Sequence, residues 1–133
     1  MKRISGLIFL LAIQTGHGGE PYHFKTLEAN PIPKDEVFKM LREGALRTCQ
    51  DAVTVFNTQP DLCRKIVLAR DPVCVKKLSR KAPKIFSQRP IAREIAKDYF
   101  DCVGPGYFCN GIEVKGEEQF NNHCLDLNQP PMG

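Results

Sequence analysis

Residues 34–56, KDEVFKMLREGALRTCQDAVTVF, carry the clearest periodic pattern in this chain. Apolar side chains recur there at steps of three and four residues, which lines them up along one side of a helix. They are Phe38, Leu41, Ala45, Cys49, Ala52 and Phe56. Charged and polar side chains fall on the opposite side. The pattern predicts one amphipathic helix over residues 34–56, with the partner of its buried cysteine in the protein core.

Three further helices are predicted on the C-terminal side of this stretch. Residues 58–69 begin with a threonine that can cap a helix, and a proline follows in the first turn. An Asp-Pro pair then predicts a new, short helix over residues 71–78. Residues 87–103 form a clean apolar arc that begins after a possible Ser cap and ends at Gly-Pro-Gly. The sequence thus predicts a bundle of about four helices.

The segments around these helices show little periodicity. The arm before the first helix is expected to be extended and to pack on the body through Tyr22, Phe24 and Leu27. Residues 79–88 are expected to form a basic loop, and the region after residue 106 an irregular segment, although a short strand near residues 112–114 is possible. The predicted fold class is all-α, a small disulfide-stabilised bundle with an irregular C-terminal segment. The predicted organisation is a signal peptide (1–18), an extended arm (19–33), a helical domain (34–127) and a flexible tail (128–133).

The N-terminus resembles an export signal. Lys2 and Arg3 precede an apolar stretch over residues 4–13, and Gly16 and Gly18 are small residues that suit cleavage after Gly18. The apolar stretch is too short to span a bilayer comfortably, and the chain that remains after cleavage has no apolar run of about 18 residues. We therefore expect a secreted or periplasmic protein with no transmembrane span in its mature form.

Six cysteines in an exported chain of 133 residues predict three disulfides. They are Cys49, Cys63, Cys74, Cys102, Cys109 and Cys124. Six cysteines allow fifteen pairings, and the sequence does not choose among them. Structural zinc is the alternative, but its sites usually contain Cys-x2–4-Cys pairs, and none of the spacings here fits that pattern. No metal and no cofactor are expected.

Positive charge is concentrated in the middle of the chain. Residues 64–97 contain eleven Lys or Arg and two acids, whereas residues 98–133 contain six acids and one Lys. The predicted binding residues are Lys76, Lys77, Arg80, Lys81, Lys84 and Arg89. A basic surface of this kind suits an acidic protein surface or an anionic lipid or glycan. Only Phe86 interleaves with the cluster, which argues against nucleic acid. The alternative is ordinary solvation, with the acidic C-terminal region neutralising the cluster.

Most catalytic patterns are absent from the sequence. It contains no Gly-rich phosphate loop, no G-x-S-x-G and no H-E-x-x-H. We therefore predict a small binding protein, such as an effector, an inhibitor or a toxin-like module. One alternative is a small secreted hydrolase in which His123 acts as a general base with Asp126 or another nearby acid. A purely structural secreted component is a third possibility.

Overall fold

The computed structural model describes residues 22–125, so the predicted signal peptide and the predicted tail lie outside the described residues. The described chain is mostly helical and also contains short strands. The helices are α1 (Lys34–Thr48), α2 (Ala52–Phe56), α3 (Pro60–Ser79), α4 (Arg89–Val103) and α5 (Glu117–His123). The strands are β1 (Ile32–Pro33), β2 (Ile85–Phe86), β3 (Tyr107–Cys109) and β4 (Ile112–Val114). Single 3-10 turns cover Phe24–Thr26 and Cys49–Asp51.

The helical bundle is confirmed, but the fold is not purely all-α. Two antiparallel two-stranded sheets accompany the helices: β1 pairs with β2, and β3 pairs with β4. The first sheet joins the end of the N-terminal arm to the segment expected to be a basic loop. It escaped prediction because strands of two residues are too short to show an alternating pattern.

The second sheet is a hairpin inside the segment expected to be irregular. Its turn consists of Asn110 and Gly111, whose φ angles are 52° and 81°. Two consecutive positive φ angles are typical of a type I′ hairpin turn, for which Asn-Gly is a favoured pair. Gly106 leads into β3 so close to β4 that a Cβ there would lie 2.2 Å from the carbonyl oxygen of Val114. Because Asn110 and Gly111 form the turn, this Asn-Gly pair is the sequence feature that could have predicted the hairpin.

The first predicted helix is interrupted. The α-helix ends at Thr48, one 3-10 turn follows, and α2 resumes at Ala52. The hydroxyl group of Thr48 donates a hydrogen bond to the carbonyl oxygen of Gly44 at 3.1 Å. A Thr side chain that bonds back to the carbonyl four residues earlier tends to bend a helix, so the apolar stripe continues across a change in helix geometry.

The predicted break at Asp71-Pro72 was wrong, since α3 continues through Pro72 to Ser79. Asp71 does not cap a new helix, because its carboxylate accepts the Tyr99 hydroxyl at 2.7 Å and lies 3.7 Å from the Arg42 guanidinium. The proline ring faces solvent, where water can reach the carbonyl group that loses its helical partner. Tertiary contacts thus outweigh a local stop signal.

The predicted helix caps were also displaced by one residue. The residues that precede α3 and α4 are Gln59 and Gln88, and neither side chain makes a capping hydrogen bond. Thr58 and Ser87 therefore do not cap these helices. Each helix instead begins with a proline in its first turn, where the missing N–H has no helical partner to lose.

The core lies among α1, α3 and α4, and the predicted stripes supply most of it. Its buried side chains include Phe38, Leu41, Val67, Leu78, Ile95, Tyr99 and Val103. Leu62 and Ile91 are apolar residues of the predicted helices over 58–69 and 87–103, whose apolar sides predict burial, but they are 42% and 39% exposed. From the arm, Leu27 is fully buried, and Tyr22 and Phe24 pack against the core, as expected. The arm is not fully extended, because it contains a 3-10 turn.

Three disulfides are present, and they join cysteines that are consecutive in the chain: Cys49–Cys63, Cys74–Cys102 and Cys109–Cys124. The first two tie the two ends of α3 to the α1 side of the core and to α4. The third closes the hairpin onto the end of α5. Three disulfides are typical of proteins in an oxidising compartment, which is consistent with secretion. None of the helices between residues 22 and 125 combines the length and apolar character that crossing a bilayer requires.

Candidate functional site

The predicted basic cluster lies at the C-terminal end of α3 and in the segment after it. Lys76 and Lys77 occupy the last turn of α3, and Arg80, Lys81 and Lys84 follow. All five side chains are exposed. Cations in the last turn of a helix interact favourably with its dipole, so part of this charge stabilises α3 itself.

One member of the cluster is neutralised by α4. The Lys81 ammonium donates a hydrogen bond to the Asp98 carboxylate and lies 4.0 Å from that of Glu94. The hydrogen bond between them raises the pKa of Lys81 and lowers the pKa of Asp98. Lys77 lines the same groove between α3 and α4. The acidic C-terminal half therefore offsets the cluster on its α4 side.

Arg89 lies apart from the rest of the predicted set. Its Nε donates to the Glu28 carboxylate at 2.7 Å, which ties the start of α4 to the N-terminal arm. It also lines a groove between α1 and α4 that contains none of the other five predicted residues. The structure thus places five of the six predicted binding residues at or just after the C-terminal end of α3 and the sixth on a second surface.

That second surface was missed by sequence reasoning. It is a groove of about 470 Å³ whose lining includes Met40, Leu41, Gly44, Ala92, Ala96 and Phe100. Small residues on facing helices leave space between them, and Gly44 opposite Phe100 is the clearest case. The sequence feature that could have indicated this groove was Gly44, a glycine in the middle of an amphipathic helix. Only the packing of α1 against α4 shows that Gly44 lies opposite Phe100.

A polar network joins three helices at the border of the core, beside another groove, between α1 and α3. The Tyr99 hydroxyl donates to Asp71, and Asp71 pairs with Arg42, so one carboxylate of α3 links α4 to α1. Burial, followed by the hydrogen bond to Asp71, raises the pKa of Tyr99. Lys76 lines the adjacent groove together with Arg42 and Asp71. The network links α1, α3 and α4 to one another, and it makes the Tyr99 hydroxyl a poor acid.

A second network docks the hairpin on the bundle. Arg70 of α3 donates to the Gly104 carbonyl at 2.9 Å and to the Glu113 carboxylate at 2.6 Å. The backbone N–H of Gly106 donates to the other oxygen of Glu113 at 2.7 Å. Burial raises the pKa of Glu113, but the bonds from Arg70 and Gly106 outweigh it, so this pKa lies below its ordinary value.

Replacing Glu113 by Gln is expected to lower the free energy of unfolding by about 1–3 kcal/mol at pH 7, because the partly buried guanidinium of Arg70 loses its charged partner. Since folding lowers this pKa, the carboxylate stabilises the fold fully above its ordinary value of 4.5, and the contribution is lost as the pH falls through the folded-state pKa. Urea unfolding at pH 7 and pH 3 would show a deficit that shrinks in acid. Asp51→Asn, at an exposed side chain, is the control. A deficit that is constant with pH would contradict the assignment.

The residues proposed for hydrolysis are only partly described. His123 is the last residue of α5, and its side chain is exposed. Its carbonyl oxygen accepts a weak hydrogen bond from Asn110 at 3.4 Å. Asp126 lies outside the described residues. This contact involves only the backbone of His123, and no acid among residues 22–125 forms an ion pair with its imidazole.

The cysteines cannot act as thiolate ligands, since all six are in disulfides. Across residues 22–125, no group of three or more His, Cys, Asp or Glu side chains is arranged to hold a metal ion. Comparison of the chain with models of protein families, with curated proteins and with solved structures finds no match.

Proposed function

We propose that this protein is a small exported binding protein that recognises an anionic partner through the basic cluster at the end of α3. The partner is an acidic protein surface or an anionic lipid or glycan, which suits a role as an effector, an inhibitor or a toxin-like module. The observation that carries the proposal is that four cations of this cluster are exposed and unpaired within residues 22–125. Lys76, Lys77, Arg80 and Lys84 are exposed and make no ion pair within the described part of the chain.

The rigidity of this surface supports binding. Lys76 and Lys77 stand on a helix whose two ends are held by disulfides, and Lys84 lies beside the β1–β2 sheet, where its carbonyl accepts the N–H of Lys34 at 2.9 Å. Less conformational freedom is lost when a partner binds groups that are already held in place.

Reversing two of these charges is expected to weaken binding to anionic vesicles about thirtyfold or more, since each cation near such a surface contributes about 1 kcal/mol. The variant is K76E/R80E. Its control is K65E/K115E, which lowers the net charge by the same amount at exposed positions away from the cluster. Vesicle co-sedimentation, a sulfated-glycan column and polyglutamate would identify the partner class.

Binding should also weaken as the salt concentration rises, because exposed charges are screened. Equal loss in both variants would show that net charge alone drives the interaction. Binding that is unchanged by K76E/R80E and by salt would overturn the proposal.

A further inference from the structure

The groove between α1 and α4 has an apolar floor, and no residue between 22 and 125 covers it. Phe100, which lines it, is 40% exposed, and Ala96 and Met40 are only partly buried. The volume of about 470 Å³ lies in the range of small-molecule sites, which is about 300–1,000 Å³. The groove is therefore large enough for a small ligand with a substantial apolar part.

Glycine and alanine keep this groove open. A Cβ atom at Gly44 would lie 3.6 Å from the ring of Phe100, in ordinary van der Waals contact, so even a methyl group there would occupy the space between α1 and the ring. Ala92 and Ala96 lie one turn apart on α4 and line the same groove. Larger side chains at these positions would fill the space. A volume of about 470 Å³ suits an extended alkyl chain better than a partner helix, which is about 10 Å wide with its side chains.

The charged side chains that line the groove are cations. Within residues 22–125, four cations line it, Lys25, Arg47, Arg89 and Arg93, and no carboxylate does. Glu28 neutralises Arg89 from outside. Lys25, Arg47 and Arg93 form no ion pair with any residue of the described part. Exposed cations beside an apolar floor are complementary to a ligand that has a hydrophobic tail and an anionic head.

We propose that this groove binds a single-chain fatty carboxylate. The alkyl chain lies on the floor against Phe100 and Ala96, and the carboxylate accepts hydrogen bonds from the guanidinium groups at the rim. Arginine suits this role because it presents several donors in a plane that matches a carboxylate. This is a second site, on a different surface from the basic cluster, so it stands or falls independently of the proposed function.

Calorimetric titration of the oxidised protein with octanoate, decanoate and dodecanoate, each below its micellar concentration, tests the proposal. We expect saturable binding of one ligand per protein. Each added methylene should strengthen binding two- to fourfold, as partial to full burial of a CH2 group implies. Dodecyltrimethylammonium, with the same tail and the opposite charge, should bind at least tenfold more weakly.

Two variants locate the ligand. Ala96→Leu should fill the groove and weaken dodecanoate binding about tenfold, with thermal unfolding as the check on folding. R47E/R93E changes only the rim and should weaken it at least tenfold, whereas K65E/K115E, with the same change in net charge, should weaken it less than threefold. Absent saturation, equal affinity for the cationic ligand, insensitivity to R47E/R93E, or binding to anionic vesicles without binding to dodecanoate would each overturn the proposal.

Discussion

Removing the Cys74–Cys102 disulfide with the variant C74A/C102A is expected to lower the free energy of unfolding by about 3–4 kcal/mol. This disulfide closes the longest loop of the three, with a sequence separation of 28 residues. A cross-link restricts the unfolded chain more when its loop is longer, so its removal increases the entropy of the unfolded state. Cys74 is also buried, and its loss leaves space in the core beside Leu78. A loss of this size is a large part of the roughly 5–15 kcal/mol that stabilises a typical domain.

Urea unfolding followed by far-UV circular dichroism measures this loss. C109A/C124A is the comparison, because its disulfide closes a shorter loop, of separation 15, at the more exposed end of the fold. We expect the midpoint of unfolding to fall further for C74A/C102A than for C109A/C124A. A loss below about 1 kcal/mol for C74A/C102A, or the reverse order of the two variants, would contradict the assigned role of this bond.

Phe86→Ala is expected to destabilise the protein by about 3–5 kcal/mol, the usual result of truncating a buried phenylalanine. Phe86 is 0% exposed, although it follows the most basic stretch of the chain. Its strand, β2, pairs with Ile32 of β1 and contacts both α1 and α4. The ring therefore fills space where the arm meets the two helices, and alanine would leave a cavity there.

The adjacent residue offers a matched control. Ile85 lies in the same strand, but its side chain points to the other face and is 58% exposed. Ile85→Ala is expected to change stability by no more than about 0.5 kcal/mol. Equilibrium unfolding of both variants in urea would separate the two cases. Similar losses for Phe86→Ala and Ile85→Ala would mean that residues 79–88 form a loop without a buried anchor.

The spacing of apolar residues along the sequence predicted the buried sides of α1 and α4, because a helical pattern depends only on residues that are close in the chain. The apolar stripe of α1 and the arc of α4 are periodic at helical spacing, and their members at Phe38, Leu41, Ile95 and Tyr99 are buried. The period of a helix is short, so a sequence window shows it without knowledge of the rest of the chain. The same reasoning failed at Asp71, where a carboxylate suited to a local cap is instead used by side chains from two other helices.

For the candidate sites, too, the sequence predicted features formed by nearby residues and missed those formed by distant ones. The sequence located the basic cluster, because five of its cations follow one another along the chain. It could not show that Lys81 pairs with Asp98 or that Arg89 pairs with Glu28, since these partners are 17 and 61 residues away. The apolar groove beside Arg89 was missed for the same reason.

The sequence by itself determined the helical character of the chain and its need for disulfides, because periodicity and cysteine content are properties that can be counted along it. Only the tertiary structure decided which cysteines pair, which cations keep their charge exposed, and where an apolar groove stays open. Each of these depends on which distant segments meet, and that is set by the packing of α1, α3 and α4 and not by any one of them alone.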